Sequence, residues 1–167
     1  DIYYYDNKEI KEIVNYKDGK QRGLRIGYYE NKNKKHEINY VLNKQEGISK
    51  FYYENGEIQE LSNWKNNKQH GITKYYYQNG KLKQETIWEN GKLNGYDKWY
   101  YENGNPEMFT NYINDIQNGE TKFFYEYGNI KLLTNFQDNK PNGTTTKYFE
   151  NGSIEWEKEF RNGIEVN

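Results

Sequence analysis

The amino-acid sequence predicts an all-β chain: an elongated, single-layer antiparallel sheet of about seven consecutive β-hairpins. Three observations predict it. Glycine returns every 24 residues, at Gly23, Gly47, Gly71, Gly95, Gly119 and Gly143. Asn-Gly pairs at 55–56, 79–80, 103–104 and 151–152 separate aromatic runs from aliphatic ones, the pattern of a hairpin tip. Alanine, the best helix former, is absent, while 19 Tyr, 7 Phe and 4 Trp favour strands.

The period divides residues 1–167 into one repeat domain of seven units: 1–22, 23–46, 47–70, 71–94, 95–118, 119–142 and 143–167. Counting the leading glycine as position zero, the first strand ends on two aromatics. Position five holds Tyr4, Tyr28, Tyr52, Tyr76, Tyr100, Phe124 and Tyr148. Position six holds Tyr5, Tyr29, Tyr53, Tyr77, Tyr101, Tyr125 and Phe149. The tip comes next, expected to be a two-residue type I′ turn at Asn-Gly. The first two units lack its glycine, reading Asn7-Lys8 and Asn31-Lys32. The returning strand carries an aliphatic residue at position eleven in five units (Ile10, Ile58, Leu82, Ile130, Ile154). It carries an aromatic at position seventeen in all seven (Tyr16, Tyr40, Trp64, Trp88, Tyr112, Phe136, Phe160). A second, longer turn, such as that at 89–94, leads into the next hairpin.

A two-residue tip would pair position six with eleven, four with thirteen and five with twelve. Positions six, eleven and seventeen would then share the buried face. Position five would form a ladder on the other face, beside Lys11, Lys35, Gln59, Lys83, Glu107, Lys131 and Glu155. That ladder (Tyr4, Tyr28, Tyr52, Tyr76, Tyr100, Phe124, Tyr148) is the candidate contact surface. It serves either as a binding platform or as a stacked structural ladder, in which aromatic pairs contribute about 0.5–1.5 kcal/mol each. With neighbouring units roughly 9–10 Å apart, the sheet is expected to extend roughly 60–70 Å.

The length of 167 residues fits one domain. High charge and few aliphatic residues would suggest disorder, but each aromatic can bury roughly 150–250 Å². The net charge of -1 lacks the basic excess of a nucleic-acid binder. The absence of cysteine excludes disulfides, thiolate metal sites and thiol nucleophiles, without fixing the compartment. No run approaches the roughly 20 apolar residues of a membrane-spanning helix. The start at Asp1-Ile2-Tyr3, inside a unit, predicts that a leader or earlier residues have been removed.

Nothing in the pattern builds catalysis, and no cofactor is implied. His36 and His70 fall at unrelated positions of their units and read as surface or turn residues, not metal ligands. Glu30, Glu54, Glu102, Glu126 and Glu150 recur at position seven, where solvated turn-flanking residues are expected in preference to a cation site. Ser49, Ser62 and Ser153 lie in no nucleophile motif, and no phosphate-binding glycine loop occurs.

The stretch Trp88-Glu89-Asn90-Gly91-Lys92-Leu93-Asn94-Gly95 resembles a MORN repeat. Tyr76-Tyr77-Gln78-Asn79-Gly80-Lys81-Leu82 is similar to the bacterial variant of that family, whose units read Tyr-Tyr-x-Asn-Gly-x-Leu/Ile. The resemblance runs in register through the chain and departs at Lys32, Lys34, Pro106 and Tyr127. It implies successive hairpins, a role in protein–protein association with lipid binding proposed for some relatives, and no catalytic residues. Relatives often carry an antitoxin-like label.

The expected function is therefore a non-enzymatic scaffold for a protein partner. The alternatives are an exported glycan- or cell-surface-binding repeat protein and an antitoxin-like protein that neutralises a partner. Unpaired strand edges also allow two copies to form a homodimer.

Overall fold

The computed structural model describes residues 1–166, whose only regular elements are β-strands. The chain divides into two compact units, Asp1–Lys81 and Leu82–Asn167. In the first, hairpins pair Ile2–Tyr4 with Ile10–Ile13, Gly23–Tyr28 with Lys34–Val41, and Lys44–Tyr52 with Ile58–Lys65. In the second, Lys92–Tyr100 pairs with Pro106–Ile113, Gly119–Phe124 with Ile130–Gln137, and Gly143–Tyr148 with Ile154–Arg161. Within each unit the strands join hairpin to hairpin in sequence order, and all pairings are antiparallel. The all-β hairpin repeat is as the sequence predicts.

The two turns of each repeat exchange the roles expected of them. At the Asn-Gly tip, the N–H of Gly56 donates to the Tyr53 carbonyl at 2.9 Å, and the N–H of Tyr53 donates to the Glu57 carbonyl at 2.8 Å. Only Gly56 is left-handed there, with φ 92°, and Asn55 is not among the positive-φ residues. This is a three-residue loop, a type I turn closed by a glycine bulge. Lys8 and Lys32 adopt the same left-handed backbone, φ 68° and 72°, without being glycine.

The type I′ turn lies at the other end of the repeat. There two consecutive residues are left-handed: Asn66 and Asn67 at φ 51° and 64°, Asn90 and Gly91 at 53° and 83°, Asn114 and Asp115 at 52° and 70°. Lys65 pairs with Lys68 and Ile113 with Ile116 directly across these turns. Each turn consists of Asn, Asp or Gly at both positions, except Leu42-Asn43, where Leu42 has φ 52°.

The three-residue tip changes the register. Position four does face thirteen, as in Phe51 with Glu60 and Phe123 with Leu132. Position five faces eleven, as in Tyr52 with Ile58 and Phe124 with Ile130, and the residue at twelve is bulged out. The expected pairings of six with eleven and five with twelve are overturned. A slip of one residue exchanges the faces of a strand, and one additional loop residue supplies that slip. The lysines at position twelve therefore sit over the position-six rings: Lys11 over Tyr5 at 5.5 Å, Lys35 over Tyr29 at 5.6 Å, and Lys131 over Tyr125 at 5.6 Å. The departures leave this register intact, since Lys34 faces Tyr28 and Pro106 faces Tyr100 as Ile58 faces Tyr52.

One face thus carries positions two, four, six, thirteen, fifteen and seventeen. Its most deeply buried side chains are small and polar. Ser49 and Ser62 in the first unit, and Thr110, Thr121 and Thr134 in the second, are almost wholly enclosed. Most hydroxyls so enclosed have a partner, although those of Thr73 and Thr86, equally enclosed, have none among the described residues. Thr110 and Thr121 meet at 2.7 Å, as do Thr134 and Thr145. The Trp64 indole N–H donates to Ser62 at 2.9 Å, and the Gln45 amide donates to Ser49 at 2.8 Å. Aromatics of positions four, six and seventeen flank this hydroxyl row, so six and seventeen lie on the buried face as expected and eleven does not.

Within each unit, side chains also fasten successive hairpins through backbone atoms. The position-six hydroxyls of Tyr5, Tyr29 and Tyr53 donate to the carbonyls of Tyr28, Tyr52 and Tyr76 at 2.7, 2.7 and 2.6 Å. Tyr101 and Tyr125 donate likewise to Phe124 and Tyr148 at 2.8 and 2.7 Å. At the tip, Asn31 holds its own turn through its Oδ1, which accepts from the Asn33 N–H at 3.0 Å. The Asn31 amide reaches the Glu54 carbonyl of the next hairpin at 2.8 Å. At the type I′ end, Asn43, Asn67 and Asn139 accept from the N–H of Gln21, Gln45 and Gln117 in the preceding repeat, at 2.6, 2.6 and 2.7 Å. These positions account for much of the asparagine in the sequence.

Candidate functional site

The candidate ladder at position five lies on the face opposite the hydroxyl row, together with positions one, three, eleven and fourteen. Its members are not equivalent. Tyr4 is well exposed, while Tyr28, Tyr52, Tyr76, Tyr100 and Tyr148 are half-buried. Phe124 is only 9% exposed. Its ring meets Phe109 edge-on at 5.2 Å, and Phe109 meets Tyr100 at 5.9 Å, so Phe124 is packed as core. Tyr52 donates to the Glu37 carboxylate at 2.7 Å. Burial and that carboxylate push the Tyr52 phenol up to about 12.

Between the hairpins of residues 47–76 this face is indented. The groove has a volume of about 410 Å³ and is lined by Ile48, Ile58, Leu61, Ile72, Lys50, Lys74 and Tyr76, with Ser62 and Asn63. Ile48 is 58% exposed and Ile72 41%. The sequence pattern at positions five, six, eleven and seventeen passed over position one, which holds Leu24, Ile48 and Ile72 in three successive repeats and then Tyr96, Glu120 and Thr144. Comparing the repeats column by column would have exposed this aliphatic run.

A second cluster lies on the other face. Gly27 occupies position four, where the adjacent repeat has Phe51, and the His36 ring fills the space: a Cβ on Gly27 would lie 2.3 Å from it. His36 Nε2 lies 3.1 Å from Glu12 Oε1. Arg25 holds the same carboxylate through two bonds of 2.7 and 3.0 Å. Burial lowers the His36 pKa below the usual imidazole range, with Glu12 opposing in part. Burial also raises the Glu12 pKa, but the Arg25 bond and charge, aided by His36, bring it below the usual carboxylate range. His36 is thus a half-buried ion-cluster residue, not the surface residue expected. The missed signal was the glycine at position four. His70 is half-buried as well, and its Nδ1 has no partner among the described residues.

The position-seven glutamates are exposed at the tips. Among the described residues no group of three His, Cys, Asp or Glu is arranged to hold a metal ion, and no helix is long and apolar enough to cross a membrane.

Comparison with known proteins finds the MORN repeat variant family at residues 2–18, 45–66, 69–90 and 117–138. The turns between and beyond these segments carry the same left-handed residues, Asn43, Asn114 and Asn162 among them. No curated protein matches the chain.

Proposed function

We propose that this MORN repeat protein is a non-enzymatic scaffold that holds a protein partner against the face bearing the position-five aromatics. The supporting observation is the contrast between the two faces. One is closed over its own hydrogen-bonded hydroxyls. The other keeps large apolar side chains in water, Ile48 and Ile72 among them. Contiguous exposed apolar surface marks interaction sites, and Tyr is enriched at the energetic centres of interfaces. Tyr28, Tyr52, Tyr76, Tyr100 and Tyr148 supply the aromatic contacts in this reading, and Tyr4 extends the row.

The test is site-specific photocross-linking. A benzophenone side chain is placed at Ile48 on the proposed face, or at Gln59 on the bulged position of the other. The partner is expected to cross-link through position 48 and to be lost in Tyr76→Ala and Tyr100→Ala proteins that retain their β circular dichroism. Cross-linking through position 59 alone, or full retention of the partner by both alanine variants, would sink the proposal. Binding to a glycan array with no protein cross-link would favour the glycan reading.

A further inference from the structure

We infer that the groove of residues 47–76 accepts an amphipathic, acidic helix lying across the strands; this rests on the protein-binding reading above. Leu24, Ile48 and Ile72 hold one repeat position in successive hairpins of the first unit, and all three stand exposed. Equivalent positions of consecutive hairpins are two strand spacings apart, about 9–10 Å. The apolar row therefore repeats at about 9–10 Å across the strands. An extended peptide offers same-face side chains about 7 Å apart and does not match that interval. A helix offers them about 10.5 Å apart at i and i+7, with i+3 and i+4 filling between. Ile58 and Leu61 form the floor that those intermediate side chains would meet.

The sign of the partner's charge follows from Lys50. No Asp or Glu lines the groove, and Lys50 makes no ion pair among the described residues. Glu37, the carboxylate whose charge Lys50 feels, is bonded to Lys34 and Tyr52. In the second unit the lysines at the same repeat position are held within the chain. Lys122 is 2.6 Å from Glu120, and Lys98 lies over the Tyr96 ring at 4.2 Å. Beside the aliphatic Ile48, Lys50 is left to a carboxylate from outside. Apolar anchors flanked by acids are the complement of this groove, in the helix-in-groove mode of peptide recognition.

The probe is a synthetic helical peptide of about five turns, with leucines at seven-residue intervals and glutamate on its other faces. The controls are the same peptide with lysine for every glutamate, and phosphatidylserine vesicles. Affinity is read by fluorescence anisotropy and location by amide chemical shifts of the full chain. The acidic peptide is expected to shift Ile48, Leu61 and Ile72. Ile48→Glu is expected to weaken it at least about tenfold, and the milder Ile48→Ser to weaken it less with an unchanged melt. Lys50→Glu should reverse the preference toward the basic peptide, and Lys50→Arg should preserve it. Equal affinity for both peptides, no affinity for either, shifts confined to residues outside 47–76, or binding to vesicles alone would each overturn the inference. A partner that cross-links through position 48 while neither peptide binds would overturn the helix and leave the proposed face standing.

Discussion

Removing the hydroxyl of Tyr53 isolates what one tyrosine fastening contributes between hairpins. In Tyr53→Phe the ring stays, and only the 2.6 Å bond to the Tyr76 carbonyl is lost. A neutral intramolecular hydrogen bond contributes about 0.5–1.5 kcal/mol net, because water competes for both groups. Tyr53 is half-buried, so water reaches the vacated carbonyl and the loss belongs near the middle of that range. With m of about 1–3 kcal/mol per molar urea, a loss of about 1 kcal/mol lowers the midpoint by about 0.3–1 M at constant m. The same bond recurs at Tyr5, Tyr29, Tyr101 and Tyr125, so the quintuple Phe variant should lose roughly 5 kcal/mol if the sites act independently. That is the scale of a whole domain's stability. Equilibrium urea unfolding followed by circular dichroism is the assay. A quintuple variant that loses less than about 1 kcal/mol, with m unchanged, would refute the idea that these hydroxyls fasten the repeats.

Three further outcomes follow from the turns, the hydroxyl row and the ion cluster. Leu42→Asn and Lys32→Gly should each stabilise the chain by about 0.5–1 kcal/mol in the same assay, because both residues are held left-handed, φ 52° and 72°, at positions where other repeats use Asn, Asp or Gly. Thr86→Val should be neutral or stabilising, since its buried hydroxyl has no partner among the described residues, whereas Thr121→Val should lose about 1 kcal/mol by removing its bonds to Thr110 and Gln117, which keep only the bond between them. The folded-state pKa of His36 lies below its ordinary 6.5, so the unfolded chain binds more protons below that pH and stability falls as the pH drops from about 6.5 toward the folded value. Glu12, also lowered, adds a second loss below about 4.5, where protonation removes its partnership with Arg25. His36→Gln should flatten the change in melting temperature between pH 7 and pH 5 and leave the acid limb in place.

The period, the hairpins and the all-β class were legible because they rest on spacing alone. The face assignment was not, because it rests on a single loop residue. Asn55-Gly56 reads as a type I′ turn in isolation, yet only Gly56 is left-handed. The discriminating signal lay in the other turn, where both positions are Asn, Asp or Gly in six of seven repeats (Asp18-Gly19, Asn66-Asn67, Asn90-Gly91, Asn114-Asp115, Asp138-Asn139, Asn162-Gly163). A two-residue loop with both residues left-handed favours such a pair, and the Lys8 and Lys32 tips lack one. The candidate ladder was legible as a row, but Phe124 was not recognisable as core, since its burial depends on Phe109 from the strand paired before it, Pro106–Ile113. The Glu12–Arg25–His36 cluster was illegible position by position. It forms only because Gly27 leaves an aromatic site empty, and the ring that fills it comes from another strand.

The fastenings between hairpins address main-chain atoms. Tyr29 needs a carbonyl at Tyr52, and Asn31 needs one at Glu54, whatever side chains those residues carry. A hairpin of this kind does not have to recognise its neighbour's sequence, so duplication or loss of 24 residues leaves each junction chemically unchanged. Unequal exchange between the copies within the gene could therefore lengthen or shorten the protein in whole steps without passing through a misfolded ancestor. Meanwhile the outward residues differ from copy to copy, as in the change from Ile72 to Tyr96 to Glu120. Joints fixed by backbone and surfaces free to vary make repeat number and surface chemistry separately heritable traits.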